Sequence, residues 1–565
     1  MAVYLQSPGV QVIEKDASAV TPGASSSVGG FAGVFNWGPV MVPMLINNED
    51  TLVKIFGSPD TNTYSSFFSC TNFLSYANSL WVTRAATVNK NATSDGSGLL
   101  IKNINDYDAG YSDGQGLVGT FAARYPGLIG NSITVSIADS GTFATWDYKG
   151  QFQSAPGTSE FAASKGGSND ELHVIVIDTL GKFTGTPGAT LERFSYVSKA
   201  IDAISFQGTS NYYANVIRNQ SQYVYWMDPP TGGTNWGTSA VSTTFTTLVD
   251  TVTPGYDFTY SLSGGTDQNV PSNSELELAW DLFKNTETYD ISIFFAGNAN
   301  QILSKYIVDN IAETRKDAIL CISQVTSTGG IIYDTSSTKL TDAASFKTAI
   351  GNSTYTIIDS GYKYMYDKYN DKYRWIALNS DIAGLCAKVD QNQDTWHSPA
   401  GFTKGQIRGA IKLSWNPNQA ERDELYKLSI NSVVSFTGQG TLLYGDKTAT
   451  LKPSAFDRIN VRRLFLILEK SISRSAKYNL FELNDAITRL QFVASVEPFL
   501  RDVKGRRGID EFKVICNEFN NTPQVVATNE FRATILIKPV YSINFITLTF
   551  TAVGPNVSFE VAATV

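Results

Sequence analysis

The chain has 565 residues and a mass of 61.6 kDa, with 44 Lys and Arg against 52 Asp and Glu, a net charge of −8. Only 17% of residues are charged while 12% are aromatic, which excludes intrinsic disorder, a state built from many charges and few aromatics. The absence of a basic excess argues against bulk nucleic-acid binding, and the two histidines leave little of the commonest general base and metal ligand.

At ~150 residues per domain the length suits about three to four domains. No apolar run approaches the ~18 residues of a membrane-spanning helix. The start, Met1 to Gly9, lacks the basic and continuously apolar regions of a signal peptide. Cys70, Cys321, Cys386 and Cys516 are too scattered for a disulfide framework or a zinc ribbon, which points to synthesis in a reducing cytosol.

In chain order, residues 1–23 read as an extended arm, with a turn at Ser7-Pro8-Gly9 and strand character at Val10, Val12 and Ile13. The small-residue stretch from Thr21 to Gly30 reads as a hinge or a surface loop. A helical pattern follows at Phe67, Phe68, Phe73, Leu74 and Tyr76. Residues 88–116 are rich in Asn, Asp, Ser and Gly. Strands are expected at 133–137 and 173–177, and residues 205–260 mix polar and aromatic types as a surface-exposed β domain does. From about 264 helix and strand alternate: a helix at 275–284, a strand at 290–296, a helix at 301–313 and a strand at 318–323, the spacing of an α/β layer. Residues 355–375 are rich in Tyr.

The last third differs in charge. Residues 401–565 hold 21 Lys and Arg and 15 Asp and Glu, net +6, which leaves −14 for residues 1–400. Asn416 and Pro417 open a helix that runs to about Leu428. Asp457 opens a second, with an apolar stripe at Val461, Leu464, Phe465, Leu468 and Ile472. Asn484 caps a third, interrupted at Pro498. Strands are expected at 529–539, with Phe531, Ala533, Ile535 and Ile537 on one face, then around Ile546, Leu548 and Phe550. A last strand holds Val557, Phe559 and Val561.

Motifs for chemistry are few. Gly114-Gln-Gly116-Leu-Val-Gly119 matches a dinucleotide fingerprint in letters, but turn-rich residues precede it and Pro126-Gly127 soon follow, where a strand and a helix are required. Gly440 to Thr448 resembles a phosphate loop, but Asp446 breaks the register and sets a carboxylate where phosphate charge would sit. His173 reads as a satisfied strand residue and His397 as a loop residue, neither beside a ligand-spaced partner. Acidic pairs such as Glu275/Glu277 and Asp371/Asp381 read as solvated faces. No catalytic, cofactor or metal residue is assigned.

Several stretches resemble one family. Ser7-Pro8-Gly9-Val10, Phe35-Asn-Trp37-Gly38-Pro39 and Tyr125-Pro-Gly-Leu-Ile-Gly-Asn131 are similar to segments of contractile tail sheath proteins of bacteriophages. Tyr366-Asp-Lys-Tyr-Asn370, Asp381-Ile-Ala-Gly-Leu-Cys386, Ser398-Pro-Ala-Gly401 and Tyr444-Gly-Asp-Lys-Thr448 resemble the T-even-type branch. The most specific match runs from Asn460-Val-Arg-Arg-Leu464 through Glu469-Lys-Ser-Ile472 to Phe481-Glu-Leu-Asn-Asp485. Residues 88–118 are too short for the extra outer domain of the T-even sheaths.

The resemblance implies a structural subunit and not an enzyme. Such subunits form a helical homo-oligomer of stacked hexameric rings around an inner tail tube, and the sheath contracts to drive the tube through the host envelope. The implied partners are other copies, the tail tube protein, and baseplate and tail terminator proteins, with no nucleic acid and no stable membrane insertion. The implied location is the virion tail, made in the host bacterial cytoplasm. A related phage-like injection particle, an enzyme with an unrecognised site and a β-rich adhesin are the alternatives. The expected fold is mixed α/β in nested domains: 1–23 with 406–565 as an inner domain, 24–87 with 264–405 as a middle domain, and 88–263 as an outer β-rich insertion. Arg458, Arg462, Arg463, Arg474 and Lys477 are candidates to face the tube, although Arg462 and Arg463 could instead brace the fold through Glu482 or Asp485. Val10, Val12, Ile13, Val557, Phe559 and Val561 are candidate strands shared between subunits, or paired within their own.

Overall fold

A computed structural model describes residues 26–86, 88–114, 118–249, 258–268 and 270–544. The described chain divides into two compact units, a larger one holding Ser25–Asn392 and Pro399–Asp457 and a smaller one holding Gln393–Ser398 and residues from Arg458 on.

The larger unit begins with β1 (Gly29–Gly33), followed by the short β2 (Met44–Ile46), the helices Glu49–Phe56 and Tyr64–Leu74, and β3 (Leu80–Arg84). β1 is a buried central strand, and it takes in Gly29 and Gly30 from the end of the Thr21–Gly30 stretch expected as a hinge or loop, of which residues 21–25 lie outside the described residues. Its glycines answer a packing demand: a Cβ on Gly30 would lie 2.5 Å from the Phe294 ring and one on Gly29 2.6 Å from Phe73.

The chain then leaves this sheet for a separate set of strands: β4 (Phe121–Ala123), β5 (Ile133–Ala138), β6 (Glu171–Asp178), β7 (Ala189–Ser198), β8 (Val224–Trp226) and β9 (Thr259–Ser261). They pair antiparallel among themselves as β7-β6-β5-β9 and β4-β8. The way in and the way out are clasped together. Lys90 and Thr266 exchange backbone hydrogen bonds, and so do Thr93 and Ser263, in antiparallel bridges. Residues 88–116 contain a helix, Ile104–Gly110, capped by Asn103. The 205–260 region is not an exposed β domain. Tyr212, Tyr213, Trp226, Phe245, Leu248 and Phe258 are buried, so most of its described aromatics form cores, with Phe206 an exposed exception.

The chain returns as β10 (Ile293–Phe295), β11 (Ile319–Ser323) and β12 (Thr356–Asp359). With the first three strands these give a six-stranded sheet ordered β12-β11-β10-β1-β3-β2, parallel except for β2. Parallel strands covered on both faces read as continuous apolar runs, as Ile319-Leu-Cys-Ile does. The helix Asn273–Asp281 is fixed by a capping box between Ser272 and Glu275, which gives Glu275 a structural duty in place of a solvated pair. The expected 301–313 helix is α-helical over Gln301–Ile307, widens to a π turn over Val308–Ala312 and ends at Arg315. The Tyr-rich stretch folds as β13 (Tyr362–Asp367) and β14 (Lys372–Ala377), joined by β15 (Lys412–Leu413).

The helix Asn379–Asn392 carries Asp381, expected on a solvated face but fully buried. It accepts hydrogen bonds from Lys363 Nζ (2.9 Å) and the Tyr76 hydroxyl (3.1 Å). A carboxylate can be buried only with such partners. The last helix of this unit, Gln419–Lys427, is capped by Asn418 in a capping box with Glu421, two residues beyond the expected Asn416. Asn416 instead accepts from the Ser435 N–H on β16 (Val433–Phe436), which pairs with β17 (Gly440–Leu443). The Asn431 and Val433 N–H groups donate to Ile358 O and Ser360 Oγ, so residues 399–457 belong to the larger unit and the junction falls at Arg458 rather than near 406.

The smaller unit packs the helix Ile459–Ala476 on the helix Ala486–Gly505 and on a hairpin of β18 (Ile509–Ile515) and β19 (Thr534–Pro539). Leu464, Leu468, Ile472, Phe492, Val496, Leu500, Val503 and Ile509 make its core, with Trp396 inserted from the 393–398 segment. Trp396 Nε1 donates to Arg506 O, and Arg506 pairs with Asp394. The second helix is capped by Asp485 rather than Asn484, and it passes through Pro498 without ending. Pro498 is exposed while Val496 and Leu500 beside it are buried, so packing outweighs the lost backbone hydrogen bond. Residues 545–550, expected as a strand, lie outside the described residues.

Candidate functional site

The sequence motifs for chemistry are spent on structure. The letter-match at 114–119 follows a helix and precedes β4, the reverse of strand, turn and helix. Lys447 Nζ donates to Tyr426 O and sits 3.9 Å from the centre of that ring, so the lysine of the near-phosphate loop is committed to its own chain. His173 is fully buried on β6, where Nδ1 accepts from the Tyr196 N–H and Nε2 donates to Ser154 O. Burial holds its pKa below the usual value, and the pairing fixes the neutral tautomer, as a satisfied strand residue requires. Among the described residues no group of three or more His, Cys, Asp and Glu could hold a metal ion, and no helix is long and apolar enough to cross a membrane.

The smaller unit carries the candidate contact surface. Of the five basic candidates, Arg462 and Arg463 are buried, just ahead of Leu464 on the first two turns of the Ile459–Ala476 helix. Arg458 is half-buried at the N-cap and Arg474 half-buried in the last turn, and Lys477 is exposed on the following 3₁₀ turn. Basic residues beside an apolar stripe do not reveal from sequence which of them the fold encloses. Asp485, offered as a brace, caps the next helix. The Thr488 N–H donates to it and holds its carboxyl below the usual range.

Beside Lys477 lies a surface that sequence reasoning left unassigned. The connection between the two helices and the start of the second expose Tyr478, Leu480, Phe481, Leu483, Ile487 and Leu490. Phe481 is 105% exposed and holds a left-handed backbone, φ +69°, which costs a non-glycine residue energy. The connection is nevertheless tied down: Asn484 Nδ2 donates to Glu530 O at 2.7 Å, and the Leu480 N–H donates to Lys477 O. A helix connection is ordinarily polar, so the apolar run Tyr478-Asn-Leu-Phe-Glu-Leu was the available signal. Contiguous exposed apolar surface of this kind marks an interaction site. Nearby, β18 and β19 pair with each other only, among the described strands. The candidate arm residues Val10, Val12, Ile13, Val557, Phe559 and Val561 lie outside the described residues.

Comparison with known proteins gives this surface a context. A model of the phage tail sheath protein central domain matches residues 269–449, one of the phage tail sheath C-terminal domain matches 451–552, and one of the tail sheath protein Gp18 domain III N-terminal region matches 28–85. The chain is 31% identical to the tail sheath protein of Salmonella phage ViI over 640 positions, covering 98% of this chain and 97% of that one. It is 31% identical to that of Enterobacteria phage T4 over 668 positions, covering 98% and 99%. A solved sheath tail protein from Listeria innocua shares the fold at a TM-score of 0.53 and 12% identity, covering 93% of this chain and 97% of that one. With relatives of this identity aligned along 98% of its length, the chain belongs to the phage tail sheath protein family.

Proposed function

We propose that this chain is the contractile subunit of a phage tail, polymerising as stacked hexameric rings around the inner tail tube and contracting to drive the tube through the host envelope. The exposed apolar run from Tyr478 to Leu490 carries the reading, because a monomer gains nothing from six uncovered large side chains held on an anchored connection. An open helical array uses head-to-tail interfaces, and its work is done by rigid bodies repacking against one another, without catalysis. The subunit works in the virion tail after synthesis in the host cytoplasm. Its other partners are the baseplate and tail terminator.

Residues 88–263 are assigned the outer position, 24–87 with 264–405 the middle, and residues 1–23 with the C-terminal part the tube side. Residues 458–565 hold 14 Lys and Arg against 10 Asp and Glu, and this net +4 suits an acidic tube, with Arg474 and Lys477 as its accessible contributors. The terminal segments around Val10–Ile13 and Val557–Val561 add strands to sheets of neighbouring copies, for which the β18–β19 hairpin, unpaired to any third strand among the described residues, is a candidate acceptor. Electron microscopy of purified protein tests the assembly: hollow tubes are expected, and dispersed monomers at all concentrations would refute it. Removing residues 1–14 or 556–565 is expected to leave a folded, non-assembling monomer by circular dichroism and microscopy. Normal tubes from either truncation would refute the strand exchange.

A further inference from the structure

We propose that the inserted body of the larger unit carries a binding site for a neutral saccharide, in a cavity walled by Tyr212, Trp226 and Trp236 and edged by Asp113, Asp228 and Asn215. The cavity measures about 460 Å³, within the ~300–1,000 Å³ range of small-molecule sites.

Its two kinds of wall are complementary to a sugar ring. The indole nitrogens are both taken up by the protein: Trp226 Nε1 donates to the Tyr213 hydroxyl at 2.9 Å and Trp236 Nε1 to Gly232 O at 2.8 Å. The indoles therefore offer the cavity carbon surface, which suits the apolar C–H face of a pyranose. The polar groups are the reverse. Among the described residues, the Asp113 and Asp228 carboxylates and the Tyr212 hydroxyl have no hydrogen-bond or ion-pair partner, and Asn215 donates to Ser210 Oγ while its amide oxygen has none. The Tyr212 hydroxyl is buried and requires a partner, while Asp113 is exposed and Asp228 and Asn215 half-buried at the rim; these are chiefly acceptors, which suit a ligand rich in hydroxyl donors.

Other ligand classes fit less well. Two carboxylates repel an anion, and the cation that lines the cavity, Arg218, is already held by both oxygens of Asp108 at 2.5 and 2.7 Å. A purely apolar ligand would strip water from the Tyr212 hydroxyl, Asn215 and Asp228 and return no hydrogen bonds. A polyhydroxylated, uncharged ring meets both walls at once.

The cavity lies within one chain, so unassembled full-length protein suffices for the test. Saturation-transfer NMR is run with maltose, cellobiose, lactose and chitobiose, and in parallel with choline and inorganic phosphate. At least one disaccharide is expected to receive transfer. Tyr212→Phe, which removes a hydroxyl without a partner and leaves the fold intact, is expected to weaken binding about two- to tenfold, the loss of one hydrogen bond. Trp236→Ala is expected to abolish transfer, while Phe206→Ala, a fully exposed side chain elsewhere in the insertion, leaves it unchanged. Absence of transfer to all four sugars overturns the proposal. So does sugar binding that survives both cavity variants, or binding of choline or phosphate alone.

Discussion

Replacing Phe481 with Asn separates the stability of the subunit from the stability of its lattice. The ring is 105% exposed, so its removal takes no packing from the monomer. The backbone at φ +69° costs a side chain such as Phe ~1 kcal/mol or more, and Asn is among the residues that tolerate it. Phe481→Asn should therefore stabilise the monomer by about 1 kcal/mol in urea unfolding. On the proposed assignment of this surface to assembly the ring is covered there, and burying a Phe contributes ~1.5–3 kcal/mol. At 1.4 kcal/mol per factor of ten, the contact weakens roughly ten- to hundredfold. Sedimentation of polymer over a concentration series should show the critical concentration rising by at least about tenfold, with shorter tubes by microscopy. An unchanged critical concentration would refute the assignment of this surface to assembly. A destabilised monomer would show that the ring packs within its own chain.

Burial pushes the Asp359 carboxyl well up from its usual range, so its contribution to stability is fully present below the unfolded value of ~3.9 and is lost as pH rises through the folded one. Asp359→Asn should thus gain on the native protein from pH 4 to pH 8 in urea titrations, and a difference that shrinks with pH contradicts this. For His173 burial lowers the pKa, so stability is present above the unfolded value of ~6.5 and lost as pH falls. His173→Gln should lose less stability between pH 7 and pH 5 than the native chain does, and equal losses would refute the linkage. A Cβ on Gly384 would lie 2.4 Å from the Tyr76 ring, so Gly384→Ala should cost about 1–3 kcal/mol and lower Tm by several degrees, while an unchanged Tm would show that Tyr76 yields freely.

The elements easiest to read were those whose signal is local. The alternation from 273 to 323 and the stripe Leu464, Leu468 and Ile472 came through because periodicity reports a buried face directly. Helix caps shifted by a residue or two: Asn416, Asn418, Asn484 and Asp485 offer equivalent oxygens, and tertiary partners such as Ser435 and Glu530 decide which of them caps. What stayed hidden depends on distant chain. Gly29–Gly33 becomes a central strand only because Phe73 and Phe294, far along the sequence, need its missing side chains. Trp396 joins the smaller unit through contacts with residues about 100 positions later. Asp381 is buried because Lys363 and Tyr76 meet it, which its neighbours in sequence do not announce. At the contact surface the basic residues were legible but their burial was not, and the exposed Tyr478–Leu490 run had no assignment because sequence does not announce which apolar side chains the fold leaves uncovered.

The clasp between residues 90–93 and 263–266 makes the insertion a cassette. Its two ends are hydrogen-bonded neighbours, about one strand spacing of ~4.8 Å apart, so the sheet containing β1 and β10 senses only that short gap and not the length of chain beyond it. Any domain whose termini lie that close can be carried there without moving the register of the sheet. The alignments with the ViI and T4 proteins run over 640 and 668 positions, more than this chain's 565 residues, so these relatives carry residues that it does without. A neck of this kind lets selection exchange whatever lies beyond it while the sheet containing β1 and β10 keeps its geometry.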